Sequence, residues 1–238
     1  MRILITNDDG IASEGLLALV RWAKKLGEVR VAAPAVEQSG KSHGIEIHEP
    51  FKVSRLTLDG DVPAYSVGST PADCVRFVTL GLGERFDLVF SGINRGFNIG
   101  RDIVYSATVG AVFEAAVLGI PAVAFSTGVS GFEYAAAKLD AVWQYFSDRS
   151  LLSIGRIYNV NIPDGGEEIL VTRQGGKYYS DDFEPAEGEK YIAVGKCVYS
   201  YGENTELDTD AVMNRYISIT PLTAERTAFD VFERLRKN

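Results

Sequence analysis

Near the amino end, Ile3, Leu4 and Ile5 form an unbroken apolar run that stops at Asn7-Asp8-Asp9-Gly10. A run that is apolar at every position suits a strand covered on both faces, as in a parallel sheet, better than a half-exposed one. Beyond Gly10 the period changes. Leu16, Leu17, Val20 and Ala23 recur at helical spacing, which predicts a helix over about Ser13 to Leu26 that Gly27 ends. Val29 to Ala33 reads as a second strand, so the chain opens with a βαβ unit, implying parallel pairing and a right-handed crossover. Ile45 to Val67 reads as a hairpin-like excursion punctuated by Pro50, Gly60 and Pro63. Thr70 and Pro71 then open a helix, as N-cap and first helical residue, that turns Cys74, Val75, Phe77 and Val78 inward. Strands are expected at Asp87 to Ser91, Ala122 to Ser126 and Ile157 to Ile162, with one helix running to Leu118 and another over about Tyr134 to Phe146.

After Pro163 the pattern shifts. Strand-like pieces at Ile169 to Thr172, Tyr191 to Val194 and Tyr216 to Thr220 are separated by glycine-rich, acidic turns such as Asp181-Asp182-Phe183-Glu184-Pro185. No strong helix is expected there before a tail over about Ala228 to Lys237. The fold class expected is therefore α/β: a Rossmann-like, mostly parallel sheet flanked by helices over residues 1–163. Residues 164–238 form a C-terminal α+β, hairpin-rich extension suited to exchange with a neighbouring subunit.

Composition narrows the picture. A chain of 238 residues can bury a substantial core, and 46% hydrophobic with 24% charged residues is ordinary for a globular protein in water. The net charge of −8 argues against a nucleic-acid polymer or an anionic membrane as partner. A small anionic substrate stays open, because a bound metal inverts the local field. Cys74 and Cys197 lie far apart and belong to no ligand-spaced cluster, so both are expected reduced. With no secretory-type segment before the first strand and no membrane-length apolar run, the cytoplasm is the expected compartment.

Candidate chemistry begins with Asp8 and Asp9, which fall at the carboxyl end of the first strand, where open α/β sheets bind ligands. Adjacent carboxylates repel each other unless they share a cation, and hard oxygen donors favour Mg²⁺, Mn²⁺ or Ca²⁺ over zinc or copper. The same four residues equally make a capped turn. Two more polar loops are expected at this edge, Gln38-Ser39-Gly40 and the stretch from Ser91 to Ser106, and Ser39 and Asn94 could each complete an octahedral shell with a neutral oxygen. Gly92, Gly96 and Gly100, four apart, let backbone amides approach an anion, while Ser106 and Thr108 sit where a helix begins, a place that attracts phosphate. A metal facing an anion pocket is an arrangement for phosphoryl transfer. His43 is either an acid toward the leaving alkoxide or a solvated loop residue; Lys41 and Arg95 either offset substrate charge or serve the surface. Phe97 and Tyr105 either stack on a base or pack the loops.

Taken together, Ile3-Leu4-Ile5-Thr6-Asn7-Asp8-Asp9-Gly10, Gln38-Ser39-Gly40-Lys41-Ser42, the run from Ser91 to Asp102, Tyr105 to Ala111 and Ser218-Ile219-Thr220-Pro221-Leu222 resemble the SurE family, the stationary-phase survival proteins. The resemblance covers nearly the whole chain in order. It implies a metal-dependent nucleotidase that removes phosphate from nucleoside 5′- and 3′-monophosphates, with short polyphosphate a further substrate of some members. It implies one divalent cation per subunit, Mg²⁺ or Mn²⁺, held by Asp8, Asp9, Ser39 and Asn94. Asn98 and Ser106 are expected at the phosphate, joining Asp8 and Asp9 as catalytic residues, and Gly40, Asn94, Gly96 and Thr108 are expected around the substrate. It further implies a homodimer or homotetramer built through the C-terminal segment. One departure stands out: Ala107 occupies the glycine position of the family's Tyr-Ser-Gly-Thr-Val-Gly block, which predicts a weakened or reshaped pocket.

Other phosphate-handling patterns fit less well. A receiver domain needs an acceptor aspartate where this chain has Ser91-Gly92, a haloacid-dehalogenase phosphatase needs Asp-x-Asp, and a dinucleotide-binding turn needs Gly-x-Gly-x-x-Gly. The alternative from another class is a non-enzymatic sensor that binds metal and nucleotide.

Overall fold

The computed structural model describes residues 1–237. In chain order its strands are β1 (Arg2–Thr6), β2 (Glu28–Pro34), β3 (Val53–Leu58), β4 (Val62–Val67), β5 (Leu88–Arg95), β6 (Ala122–Thr127), β7 (Ile157–Ile162), β8 (Ile169–Val171), β9 (Tyr179–Pro185), β10 (Tyr191–Cys197) and β11 (Ile217–Leu222). Its helices are α1 (Glu14–Ala23), α2 (Pro71–Arg76), α3 (Ala107–Val117), α4 (Phe132–Asp148), α5 (Leu151–Ile154), α6 (Asp208–Met213) and α7 (Phe229–Arg236). Nine strands form one sheet in the order β3-β4-β2-β1-β5-β6-β7-β11-β8, and β9 pairs with β10 in a separate antiparallel hairpin. Pairing is parallel from β4 through β2, β1, β5 and β6 to β7. Only β3 against β4 and β11 against β7 run antiparallel in that sheet.

The unbroken apolar run of β1 now has a cause. Successive side chains of a strand point to opposite faces, and here both faces are covered. Ile3 and Ile5 pack with Leu16 and Leu19 of α1 and Leu139 of α4, whereas Leu4 faces Val75 of α2 and Val109 and Val112 of α3. The helix starts follow local chemistry. The Ser13 hydroxyl accepts from Leu16 N at 3.3 Å to cap α1, and Thr70 Oγ1 accepts from Asp73 N at 3.1 Å ahead of Pro71 in α2. Each bond satisfies an amide that the first helical turn leaves free.

Three segments differ from expectation. Asp181 to Pro185, expected as a turn, belongs to β9, whose side chains are almost all exposed and so carry no burial pattern to read. A helix, α6, occupies a region expected to lack one; it buries Asp208, Thr209 and Asp210, polar residues that mask a helical apolar stripe. The sheet also continues past residue 163, because β8 and β11 extend its edge beyond β7. The tail helix α7 forms as expected but buries none of its residues. No helix among the described residues is long and apolar enough to cross a membrane.

Candidate functional site

The loops that leave β1, β2 and β5 meet at the carboxyl edge of the sheet. Asp8, Ser39, Gly40, Asn94, Asn98 and Ser106 line one cavity of 260 Å³. An adjoining cavity of 430 Å³ is lined by Asp9, and both Ser39 and Arg95 face the two cavities together. A bulge aims the β5 loop into this space: Ser91 pairs with Ala124, yet Asn94 pairs with Ser126, so β5 carries one extra residue there. Gly92 makes the bulge possible. Its φ is +130°, and a Cβ would lie 2.3 Å from the Phe125 carbonyl oxygen.

Asp8 is buried, and the Thr108 hydroxyl donates to its Oδ1. Burial pushes the Asp8 carboxyl up to about 6; the Thr108 bond opposes that rise and the charge of Asp9 adds to it. Asp9 is raised as well, chiefly by burial, against a hydrogen bond from Arg95 N to its Oδ2 at 3.1 Å. Asn94 Nδ2 donates to Gly96 O at 2.8 Å, and the Ser39 hydroxyl donates to Glu37 Oε1 at 2.6 Å. These bonds leave Asp8 Oδ2, Asp9 Oδ1, Asn94 Oδ1 and the lone pairs of Ser39 for another partner. Two crowded carboxylates with raised affinity for a proton, completed by neutral oxygens, fit a hard divalent cation. Among the described residues no three His, Cys, Asp or Glu side chains gather as a ligand cluster, so water must fill the remaining positions of such a shell.

Asn98 is held from all sides. Its N–H donates to Asn161 Oδ1 at 2.9 Å, its carbonyl accepts from Asn159 Nδ2 at 2.7 Å and Asn161 Nδ2 at 2.9 Å, and its own Nδ2 donates to Ser126 Oγ at 2.8 Å. Ser106 is the N-cap of α3 and accepts from Val109 N at 3.1 Å, which leaves its hydroxyl proton for a ligand at the positive end of an eleven-residue helix.

Other expected residues lie elsewhere. Thr108 is buried and touches Asp8 rather than the cavity wall, and Gly96, whose amide donates to Thr127 O at 2.9 Å, is off the wall too. Ala107 is buried in the first turn of α3 and does not line the cavity, so its methyl group does not narrow it. His43 Nε2 lies 2.7 Å from Glu114 Oε2 on α3, and neither His43 nor Lys41 is on the wall. Phe97 and Tyr105 do line it, and the Arg95 guanidinium sits 5.5 Å over the Phe132 ring.

Sequence reasoning missed the residues that hold this edge together. Asn159 and Asn161, two apart near the end of an apolar strand, share a face, and that spacing was a readable signal. Asp102 closes the run that carries the family resemblance, yet nothing there gave its role: its Oδ2 accepts from Tyr178 N at 3.0 Å and Tyr179 N at 2.7 Å, fixing the root of β9 against the site, where Tyr178, Tyr179 and Asp181 complete the wall. Asp208 was equally silent; it accepts from Gly100 N at 3.1 Å and Gly175 N at 2.7 Å.

Residues 3–181 match the family model described as Survival protein SurE. The chain is 41% identical over 246 residues to 5′-nucleotidase SurE 1 of Thermus thermophilus, covering 99% of this chain and 96% of that protein. It is 35% identical over 252 residues to 5′-nucleotidase SurE of Thermosipho melanesiensis, covering 100% and 97%. The crystal structure of SurE protein from Aquifex aeolicus superposes with a TM-score of 0.78 at 33% identity, covering 100% of this chain and 99% of that one. With a family model spanning most of its length and full-length relatives above 30% identity, the chain belongs to the SurE family.

Proposed function

We propose that this chain is a divalent-metal-dependent phosphatase that hydrolyses nucleoside 5′- and 3′-monophosphates to nucleoside and inorganic phosphate. The observation that carries the reading is the meeting of Asp8, Ser39, Asn94, Asn98 and Ser106 in one cavity, with Asp9 beside it. The relatives named 5′-nucleotidase support the reaction class.

Asp8, Asp9, Ser39 and Asn94 would hold the cation, Mg²⁺ or Mn²⁺ being the fit for their hard oxygens. Bound there, the cation supplies charge stabilisation to the transferring phosphoryl group and acidifies a water. The chain's own residues do the rest. Thr108 fixes the Asp8 carboxylate in one orientation. The second amide hydrogen of Asn98 and the hydroxyl proton of Ser106 bind phosphate oxygens, and the N-terminus of α3 adds its dipole. Phe97 and Tyr105 offer apolar faces to the nucleoside.

The exposed apolar residues of β9, β10 and α7 support assembly of two or more copies through the C-terminal segment. Phosphate release from a panel of nucleoside monophosphates, with Mg²⁺, with Mn²⁺ and with chelator, tests the activity. Release that needs the cation is the expected result. Tight nucleotide binding with no release would replace the enzyme by a metal- and nucleotide-binding sensor.

A further inference from the structure

The loop between β2 and β3 brings Ser39 to the site, yet little holds Ser39 itself. Its hydroxyl bonds Glu37, a partner two residues back that moves with the loop. The loop is fastened on either side of it. Before Ser39, Gln38 N donates to Asp8 O at 2.8 Å. After it, Ser42 N donates to Tyr105 O at 3.0 Å and Ser42 Oγ to Val104 O at 2.6 Å, while Gly110 makes room for the Ser42 carbonyl against α3. Ser42 has a φ of +54°, a left-handed conformation that a serine keeps only where its surroundings impose it.

The next residue supplies the side-chain fastening. His43 Nε2 lies 2.7 Å from Glu114 Oε2, and because a carboxylate only accepts, the imidazole donates. Glu114 is a firm anchor: its side chain is 4% exposed, and Arg76 Nη1 bonds its other oxygen at 3.1 Å. It stands on α3 about two turns beyond the N-cap Ser106, so one helix carries both the phosphate-facing hydroxyl and the anchor of the Ser39 loop. As an acid toward the leaving alkoxide His43 is badly placed, since it is on the wall of neither cavity and its Nε2 is committed to Glu114.

Building on the reading of Asp8, Asp9, Ser39 and Asn94 as the cation site, we propose that His43 is a positioning residue. Through its bond to Glu114 it locks the loop after β2 onto α3, and so holds the Ser39 oxygen where it can act together with Asp8, Asp9 and Asn94. Groups that orient the ligands without touching the metal set metal affinity almost as strongly as the ligands do.

The test is Mn²⁺ binding, measured by calorimetry without substrate, in wild type, His43→Asn, His43→Gln and Asp140→Ala. Asparagine is too short to reach Glu114, whereas glutamine places an amide donor near the position of Nε2. Asp140→Ala removes the bonds from Trp22 Nε1 and Lys25 Nζ on the other face of the sheet and controls for lost stability alone. His43→Asn is expected to weaken Mn²⁺ binding about tenfold, His43→Gln to restore most of it, and Asp140→Ala to leave it unchanged. With AMP, His43→Asn should need about tenfold more Mn²⁺ for half-maximal rate and regain near wild-type kcat once the cation saturates. Wild-type Mn²⁺ affinity in His43→Asn overturns the assignment, and so does an about tenfold loss in His43→Gln, which keeps the donor. A kcat that stays low in both His43 variants at saturating Mn²⁺ also overturns it and makes His43 the acid. Wild type that binds no Mn²⁺ instead removes the cation reading, and this inference falls with it.

Discussion

At the carboxyl edge of the sheet, polar groups of side chain and backbone are surrounded by protein that already holds them: Asp8 by Thr108, Asn98 by Asn159, Asn161 and Ser126, the Gly100 amide by Asp208. On the β9–β10 hairpin and on α7 the situation is reversed. Phe183 is 66% exposed, Tyr191 70% and Leu235 71%, and α7 buries nothing. A two-stranded hairpin is marginal in water unless something covers it. The edge is thus held together within one chain, the head of β9 included, whereas the rest of the hairpin and α7 present apolar surface that their own chain does not cover. The contrast teaches that the polar network of the edge and the exposed apolar surface of β10 and α7 are specified by separate stretches of this sequence and should respond separately to substitution.

The largest effect should come from the edge. Asp8→Asn keeps the shape and removes the charge, and the expected loss in kcat is about a thousandfold, roughly 4 kcal/mol of barrier. Burial already raises the Asp8 carboxyl to about 6, so removing its charge should leave the melting temperature equal or higher. Calorimetry beside steady-state kinetics checks both halves; turnover within tenfold of wild type would break the assignment of Asp8.

Helix α7 should show the converse. Phe229→Ser, Phe232→Ser and Leu235→Ser together remove three exposed apolar side chains from α7. If a second copy buries them, each contributes about 1.5–3 kcal/mol, and the variant should sediment as a smaller species with association weakened more than a hundredfold. Activity per subunit should change far less than in the Asp8 variant. Persistence of the wild-type mass would place the contact elsewhere.

How much of this was readable in the residues follows the same division. The strands of the sheet were legible because covering both faces forces an apolar side chain at every position, as in Ile3-Leu4-Ile5. The groups expected around a cation were legible as polar loops at strand ends, and Asp8, Ser39 and Asn94 do line one cavity. What stayed hidden were elements whose pattern is inverted. In α6, Asp208 to Asp210 are buried, and in β9 nearly everything is exposed, so neither shows the periodicity that betrays an element. Bonds across long sequence separation, such as those from Asp102 to the Tyr178 and Tyr179 amides, leave no local trace at all.

The asparagine pair sharpens the edge further. Asn161→Ala removes one acceptor and one donor to Asn98, which keeps its bonds to Asn159 and Ser126. A partly loosened Asn98 should lower kcat about tenfold with little change in KM, since a misplaced donor is felt most in the transition state. Asn161→Asp, which retains the acceptor for the Asn98 amide, should recover part of the loss. An unchanged kcat would show that Asn98 does not depend on this support.

The smallest effect should come from behind the site, where the loop carrying Ser39 rests on α3. Gly110 lets that loop approach, since a Cβ there would lie 2.2 Å from the Ser42 carbonyl oxygen. His43 and Arg76 both bond Glu114, at 2.7 Å and 3.1 Å. Burial works against the Glu114 charge, but the bonds from His43 and Arg76 outweigh it and hold the carboxyl below its ordinary value of 4.5. A carboxylate depressed in the folded state stabilises the protein at pH above its unfolded value, and that contribution fades as pH falls through the lower folded value. Glu114→Gln keeps the size and loses the charge-assisted bonds, so it should cost about 1 kcal/mol at neutral pH. The gap in stability between wild type and Glu114→Gln should hold steady from pH 7 to 5 and close below about 4.5, because protonated Glu114 becomes as neutral as the glutamine that replaces it. Denaturant midpoints measured across that range decide it, and a gap that widens in acid would mean that the His43 and Arg76 bonds do not hold Glu114 charged.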